Sequence, residues 1–448
     1  MGGREKRMER MGAGRKLIYG MGGLTMSLPD LVFMQWIFIR YVPGDETALA
    51  PARLFGVLVF SARVIGAVAE PIIGHWSDNC HTRFGRRLPF IRSGMIPMAL
   101  CFFLMWMPPV GHLHWVNAVY ALVLMLAYLL CFPTVITPYL ALLPEITTDL
   151  RDRVALATVQ AAFVMLGTIL FASMGLLLNA GGWPAMAGFV AAIILIGIGP
   201  VAWTTREQTH AAVAAHDRSR LLPAILSTLK NRAFRRLVGG TAMVFFGFNC
   251  VLAALPYWVT IYLERDKDTV TLLMAPFLAV TMVLFAAVGP LVARFGKYRV
   301  FLGSILGISL CLALFSCAGL APWGDPLTQM IVLVTLLGVP MTGFIALPFA
   351  LLADVIDYDE KRTGRRREAL FFAVQGTIQK TLFGCAGLTF SMVAYTGPAN
   401  TVSIAGLRGV TLIAAAAGLL GFFIFSKYPL REVGGVMVFP EESRENSP

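Results

Sequence analysis

Apolar residues in this chain are gathered into runs of about 20 or more, the length a helix needs to cross a bilayer. Such runs fall near residues 17–40, 52–77, 88–108, 115–142, 155–178, 184–204, 235–262, 269–293, 298–320, 327–353, 368–396 and 402–427. In hydrocarbon a backbone must satisfy its own polar groups, so these runs read as twelve transmembrane helices. With 57% hydrophobic and 14% charged residues and a mean hydropathy of +0.72, a soluble or disordered chain is excluded. The basic start (Arg4, Lys6, Arg7, Arg10, Arg15, Lys16) leads straight into the first run without a small-residue cleavage motif, so no cleavable leader is expected.

The net charge of +12 follows topology. Connections after the even-numbered spans carry Arg83, Arg86 and Arg87, then Arg151 and Arg153, then Arg218 to Arg236, then Arg294, Lys297 and Arg299, and finally Lys361 to Arg367. Connections near 109–114, 179–183 and 397–401 hold no Lys or Arg. The positive-inside rule then places both termini in the cytoplasm of a multi-pass protein of the plasma or inner cell membrane. Basic residues placed this way form no continuous groove, so no nucleic-acid role is expected. The seven cysteines are scattered and mostly inside apolar runs, with neither a disulfide framework nor metal-ligand spacing.

The longest connection divides the spans six and six. This gives an N-terminal half over 1–204, a cytoplasmic linker over 205–234, a C-terminal half over 235–428 and a cytoplasmic tail over 429–448. Leu221, Leu222, Ile225, Leu226 and Leu229 interleave with basic residues in the linker, as in an amphipathic surface helix. Arg83-Phe84-Gly85-Arg86 after the second span is echoed by Arg294-Phe295-Gly296-Lys297 after the eighth. Equal positions in both halves imply a duplicated six-helix unit, as in transporters whose halves rock about a central site.

Gly74-His75-Trp76-Ser77-Asp78, continuing through Arg83 to Phe90, resembles the loop signature of the major facilitator superfamily. Three further stretches are similar to its glycoside–pentoside–hexuronide:cation symporter branch, the melibiose-permease-like one. They are Ala62-Arg63 with Glu70 to Gly74, Pro138 to Thr147, and Ala353 to Tyr358 with Lys361 to Arg366 and Lys380. The resemblance implies two pseudo-symmetric six-helix halves, an all-α membrane protein of the major facilitator fold, and a cation-coupled central site for a sugar or glycoside. Against the branch pattern, Gly66 and Ile136 stand where carboxylates would complete a sodium cage. Ser27 replaces a sugar-contacting Asp, and Gln160 or Ala161 replaces a sugar-binding Arg.

Ionisable groups inside the bilayer cost roughly 2.5–3.5 kcal/mol each, so each one requires an explanation. Asp30, Arg63, Glu70 and Lys380 are such groups. At 1.5 Å per residue, Asp30 and Arg63 lie about 20 and 21 Å from the inner ends of their helices, and Glu70 and Lys380 about 11 and 18 Å. The depths suggest two couples, Asp30 with Arg63 and Glu70 with Lys380. Arg63 reads more as a structural partner, whereas a lone carboxylate facing a lysine is a switchable pair. A hard metal ion needs several oxygen ligands and a proton needs one base, so Glu70, Lys380 and Arg63 point to proton rather than sodium coupling. No metal site and no prosthetic cofactor are expected.

Asp78, Arg83, Arg86, Arg87, Glu145, Arg153, Asp354, Asp357 and Arg365 sit at the mouths of spans, where ion pairs made in one conformation and hydrated in another would form a cytoplasmic gate. The proposed solute lining is Ser27, Asp30, Thr137, Tyr139, Gln160, Gln375 and Gln379. This lining is sparse for a sugar, so a lysophospholipid or another amphiphile is the alternative cargo, and a non-transporting scaffold or receptor the alternative of another class. The histidines form no metalloprotease motif and no nucleophile elbow is present, so an enzyme is not expected. Membrane lipids and a small solute are the partners, and one chain holding both halves would act as a monomer.

Overall fold

The computed structural model describes residues 11–44, 47–80, 82, 85–147, 149–205, 228–322, 324–364, 367–397, 401–429, 431–433 and 436–438. Its helices are α1 Ala13–Tyr41, α2 Ala52–Asn79, α3 Leu88–Leu104, α4 Trp115–Ile146, α5 Leu150–Ala172, α6 Met174–Thr204 and α7 Arg232–Tyr257, the last extended by a π turn at Trp258–Tyr262. They continue as α8 Thr269–Phe285, α9 Val288–Phe295, α10 Lys297–Ser316, α11 Pro326–Ala346, α12 Pro348–Thr363, α13 Glu368–Val393 and α14 Ile404–Ser426. Among the described residues nine helical stretches are long and apolar enough to cross a bilayer, and α8 with α9 forms a bent tenth. The apolar α3 is shorter, and α13 is diluted by Gln375, Gln379 and Lys380. With these two, the helices coincide with the twelve predicted spans.

Local sequence sets the helix ends. Asp149 and Asn231 accept from the first backbone N–H groups of α5 and α7, and Ser403 does so for α14. Gly182, at φ +67°, interrupts α6. Gly364, at φ +65°, closes α12, a C-cap that only glycine adopts without strain. Helix α12 therefore runs well past the predicted end of its span and carries Asp354, Asp357 and Asp359 on helical backbone. A short antiparallel pair, β1 Arg431–Val433 with β2 Val436–Val438, follows α14. It lies in the stretch read as a tail. The sequence signal was Gly434-Gly435 between β-branched residues.

The chain packs as two compact units. The first takes Met1–Phe33, Val68–Pro108 and Val123–Ala215. In it α3 packs along α6, where Arg92 Nε donates to the Ala202 carbonyl at 2.8 Å. Gly20 and Gly23 let α1 close on α5: a Cβ on Gly23 would stand 2.5 Å from the Gln160 carbonyl oxygen. The second unit takes Met34–Ala67, Pro109–Leu122 and His216–Pro448. There α7 packs on α13 and α14, α10 on α11 and α14, and α8 on α11. These units group segments by packing, whereas 1–204 and 235–428 group them by chain order. Residues 206–227, the greater part of the 205–234 linker with most of its expected amphipathic helix, lie outside the described residues, as does the Glu441–Pro448 tail.

Within the second unit the ends of α1 and α2 remote from the basic loops rest on α7 and α13. Gly384 admits Phe60 and Arg63 of α2, and Gly387 admits Phe38 of α1. Tyr257 Oη and Tyr395 Oη both donate to the Val42 carbonyl at the end of α1, at 2.6 and 2.5 Å. Buried amides tie down two connections of this unit. Asn117 Nδ2 donates to the carbonyls of Leu49, Val110 and His112 while its Oδ1 accepts from Val110 N–H. Gln329 Nε2 donates to Ala321 and Gly324, and its Oε1 accepts from Gly319 N–H at 2.7 Å. Each amide stands near the start of the fourth span of its half, a second echo of the duplication.

Candidate functional site

The duplicated loop folds as its sequence suggests. Gly85 has φ +105° and Gly296 has φ +80°, so each repeat turns on a residue in the left-handed region that favours glycine. The residue after each glycine is a cation. In the first unit Arg86 pairs with Glu145 at the end of α4, and Arg87 Nε lies 2.9 Å from the same carboxylate. In the second unit Lys297 Nζ donates to both oxygens of Asp354 on α12, each at 2.9 Å. Glu145 and Asp354 follow the fourth span of their halves. The two clamps are thus the same contact made twice.

The other expected gate residues are placed as follows. Arg153 Nε donates to the Thr147 carbonyl at 2.9 Å and braces the loop beside Glu145. Asp357 is exposed on α12. Asp359, two residues on, is buried and accepts from Arg367 at 2.6 Å and from Asn231 Nδ2 at 3.4 Å. Arg83 and Arg365, and the side chain of Asp78, lie outside the described residues. Lys16 on α1 pairs with Asp152 on α5 at 2.7 Å, an inner tie of the first unit that charge listing alone did not single out.

Two residues expected to line the solute path are engaged elsewhere. Tyr139 is fully buried, stacks on Tyr19 at 4.9 Å and donates its hydroxyl to the Tyr19 carbonyl at 2.8 Å. Ser27 donates to the Val164 carbonyl of α5 at 3.0 Å. Both tie α1 to its neighbours. A hydroxyl on an apolar helix serves a carbonyl of its own or the next helix as readily as a solute, and spacing does not distinguish these uses. Thr137 and Gln160 lie in the same unit, Thr137 half-buried and Gln160 buried. In the second unit Gln375 is 3% exposed and its Oε1 has no hydrogen-bond partner, while Gln379, one turn on, is half-buried.

Of the four intramembrane charges, Asp30 and Glu70 fall in the first unit and Arg63 and Lys380 in the second. Asp30, Glu70 and Lys380 are half-buried and Arg63 is 4% exposed. Arg63 enters the α2–α13 contact at Gly384, one helical turn beyond Lys380. The small residues of the Gly376–Lys380–Gly384–Gly387 stripe therefore serve close helix approach at Gly384 and Gly387, while Gly376 faces open space. Among the described residues no cluster of three His, Cys, Asp or Glu side chains forms a metal-ligand set.

Residues 18–432 match the MFS/sugar transport protein family. The chain belongs to that family. An uncharacterized symporter of Synechocystis is 26% identical, with 82% of each chain covered. A glucuronide carrier protein homolog of Escherichia coli is also 26% identical, covering 86% of each. A sphingosine-1-phosphate transporter of Mus musculus is 24% identical over 83% of this chain and 78% of its own. In fold, the chain is similar to the inward-open xylose transporter of E. coli (TM-score 0.67, 14% identity, 94% and 97% covered). A family protein of this fold is a secondary active transporter.

Proposed function

We propose that this protein is a proton-coupled symporter that moves a small glycoside-type solute by alternating access, acting as a monomer with both termini in the cytoplasm. The repeated clamp carries the reading: Arg86–Glu145 and Lys297–Asp354 stand at matched positions, each on a left-handed glycine turn. Such partly exposed ion pairs form in one state and hydrate in another at small cost, as a bistable gate requires. The halves that rock are those of chain order, 1–204 and 235–428, joined by the 205–234 connection.

Glu70 is the proton carrier in this reading and Lys380 its counter-charge. A proton taken up by a carboxylate within a span changes the local charge by one, the kind of event that biases a two-state transporter. Gly66 and Ile136 leave too few oxygens for a sodium cage. The names of similar proteins, a glucuronide carrier homolog and an isoprimeverose transporter, support a glycoside. The named sphingosine-1-phosphate transporter supports an amphiphile as the second reading. Asp30, Thr137, Gln160, Gln375 and Gln379 are the polar groups left for the solute once Ser27 and Tyr139 are spent on helix contacts.

The test is thermal stabilisation of the purified protein by isoprimeverose, a methyl glucuronide, lysophosphatidylcholine and sphingosine-1-phosphate, followed by counterflow of the best binder in proteoliposomes. Stabilisation by a glycoside with counterflow is expected. Stabilisation by the lipids alone favours the second reading, and binding without counterflow contradicts a carrier.

A further inference from the structure

The span made by α8 and α9 is broken between Phe285 and Val288, where the two helices meet at 55°. The bend leaves a groove of about 730 Å³ walled by α8, α9, α10 and α11, within the second unit. That size falls among pockets that hold whole organic ligands, about 300–1,000 Å³. Leu291, Leu310, Leu314 and Val339 line it and are about half exposed, so it opens on the surface of the helices. Its hydroxyls are spent: Ser304 donates to the Val300 carbonyl at 3.0 Å and Thr342 to the Gly338 carbonyl at 2.8 Å. A Cβ on Gly303 would meet no atom within 4 Å, so the floor is open as well.

Length and charge give the groove a polarity. On α10 its lining runs from Arg299 to Leu314, about 22 Å at 1.5 Å per residue. This exceeds half of the hydrocarbon core, about 15 Å, so the groove spans the depth of one leaflet. Arg299 is the one charged residue in the lining and stands at the end nearest the basic loops. It is exposed, without an ion-pair partner among the described residues, whereas nearby Lys297 is committed to Asp354.

We propose that this groove binds an anionic phospholipid, with one acyl chain along the methyl wall and the phosphate at Arg299. A small polar solute would leave most of the wall uncovered and find no hydroxyl to bond. Any acyl chain can fill the apolar part, and the cation adds a choice of headgroup. A zwitterionic headgroup offers Arg299 a phosphate whose charge its own ammonium offsets, whereas phosphatidylglycerol offers a net negative charge. The site uses none of the residues assigned to solute or proton movement, so it stands or falls apart from that reading. Occupancy also stabilises the bent span, because a ligand bound only to the folded protein raises its melting midpoint.

The full chain, stripped of lipid in detergent, is titrated with dipalmitoyl phosphatidylglycerol, dipalmitoyl phosphatidylcholine and glycerol phosphate, with binding read by native mass spectrometry and by melting midpoint. The wild type is expected to prefer phosphatidylglycerol about fivefold, the preference one surface cation confers, and to ignore glycerol phosphate. Arg299→Gln should bind both lipids equally. Gly303→Leu, whose side chain enters open space, should lose both without lowering the lipid-free midpoint. Equal affinity of the wild type for the two lipids, binding of glycerol phosphate as tight as that of phosphatidylglycerol, or variants that bind as the wild type does would each overturn the proposal.

Discussion

Lys297 spans both carboxylate oxygens of Asp354 at 2.9 Å, and one repeat earlier Arg86 pairs with one oxygen of Glu145. Symmetry of this kind makes each clamp a control for the other. Lys297→Gln and Arg86→Gln should each lower the initial uptake rate about 5–30-fold, the effect of losing 1–2 kcal/mol from one gate state. The charge exchange Lys297→Asp with Asp354→Lys should recover most of the loss. Recovery separates an ion pair that works as a gate from charges that only set topology.

Tyr257 and Tyr395 give Val42 two donors for one carbonyl oxygen, with their own hydroxyls 2.9 Å apart. Either Phe variant leaves the carbonyl bonded and should cost about 0.5–1.5 kcal/mol. Tyr257→Phe with Tyr395→Phe strands a buried acceptor, so the double variant should cost more than the sum of the singles. Denaturation midpoints of the three variants measure that difference directly.

Asn117 and Gln329 each serve several backbone groups of a connection that has few side chains of its own to bury. Replacing either with Ala strands those groups, at about 1–3 kcal/mol per group left unpaired and buried. A lower melting midpoint is expected, with uptake rescaled only by the amount of folded protein.

Asp325 caps α11, and its hydrogen bond from the Thr328 side chain is the largest cause holding its carboxyl below the usual aspartate range. A lowered folded value means the cap's ionised form adds stability above the ordinary aspartate range and loses it as pH falls through the folded value. Asp325→Asn keeps a cap without that titration. The gap in melting midpoint between the two proteins should therefore narrow in acid and stay constant from neutral pH upward.

Some of this was legible because the signals were local along the chain. Apolar run length marked the spans, and a glycine between a phenylalanine and a cation marked both turns that carry the clamps. Pairing partners were less legible. Arg86 and Lys297 stood out as loop charges, but which carboxylate each would reach depended on α4 and α12 continuing past their predicted spans. Ser27 and Tyr139 were placed with the solute because a polar group in an apolar helix demands a partner, and the demand is met equally well by a neighbouring backbone carbonyl. Asn117 and Gln329 gave no signal at all, since one amide in a span start looks like any other. The α8–α9 groove comes from a bend that hydropathy does not record.

Glu70 bears the central claim, and proton movement coupled to solute entry tests it. When the solute that most raises the melting midpoint is added outside proteoliposomes, the wild type should alkalinise the outer medium as solute enters, equally in sodium and potassium salts. Glu70→Gln should exchange solute across the membrane while moving no protons. Proton uptake unchanged in Glu70→Gln, or uptake that follows sodium at fixed pH and membrane potential, would contradict the account.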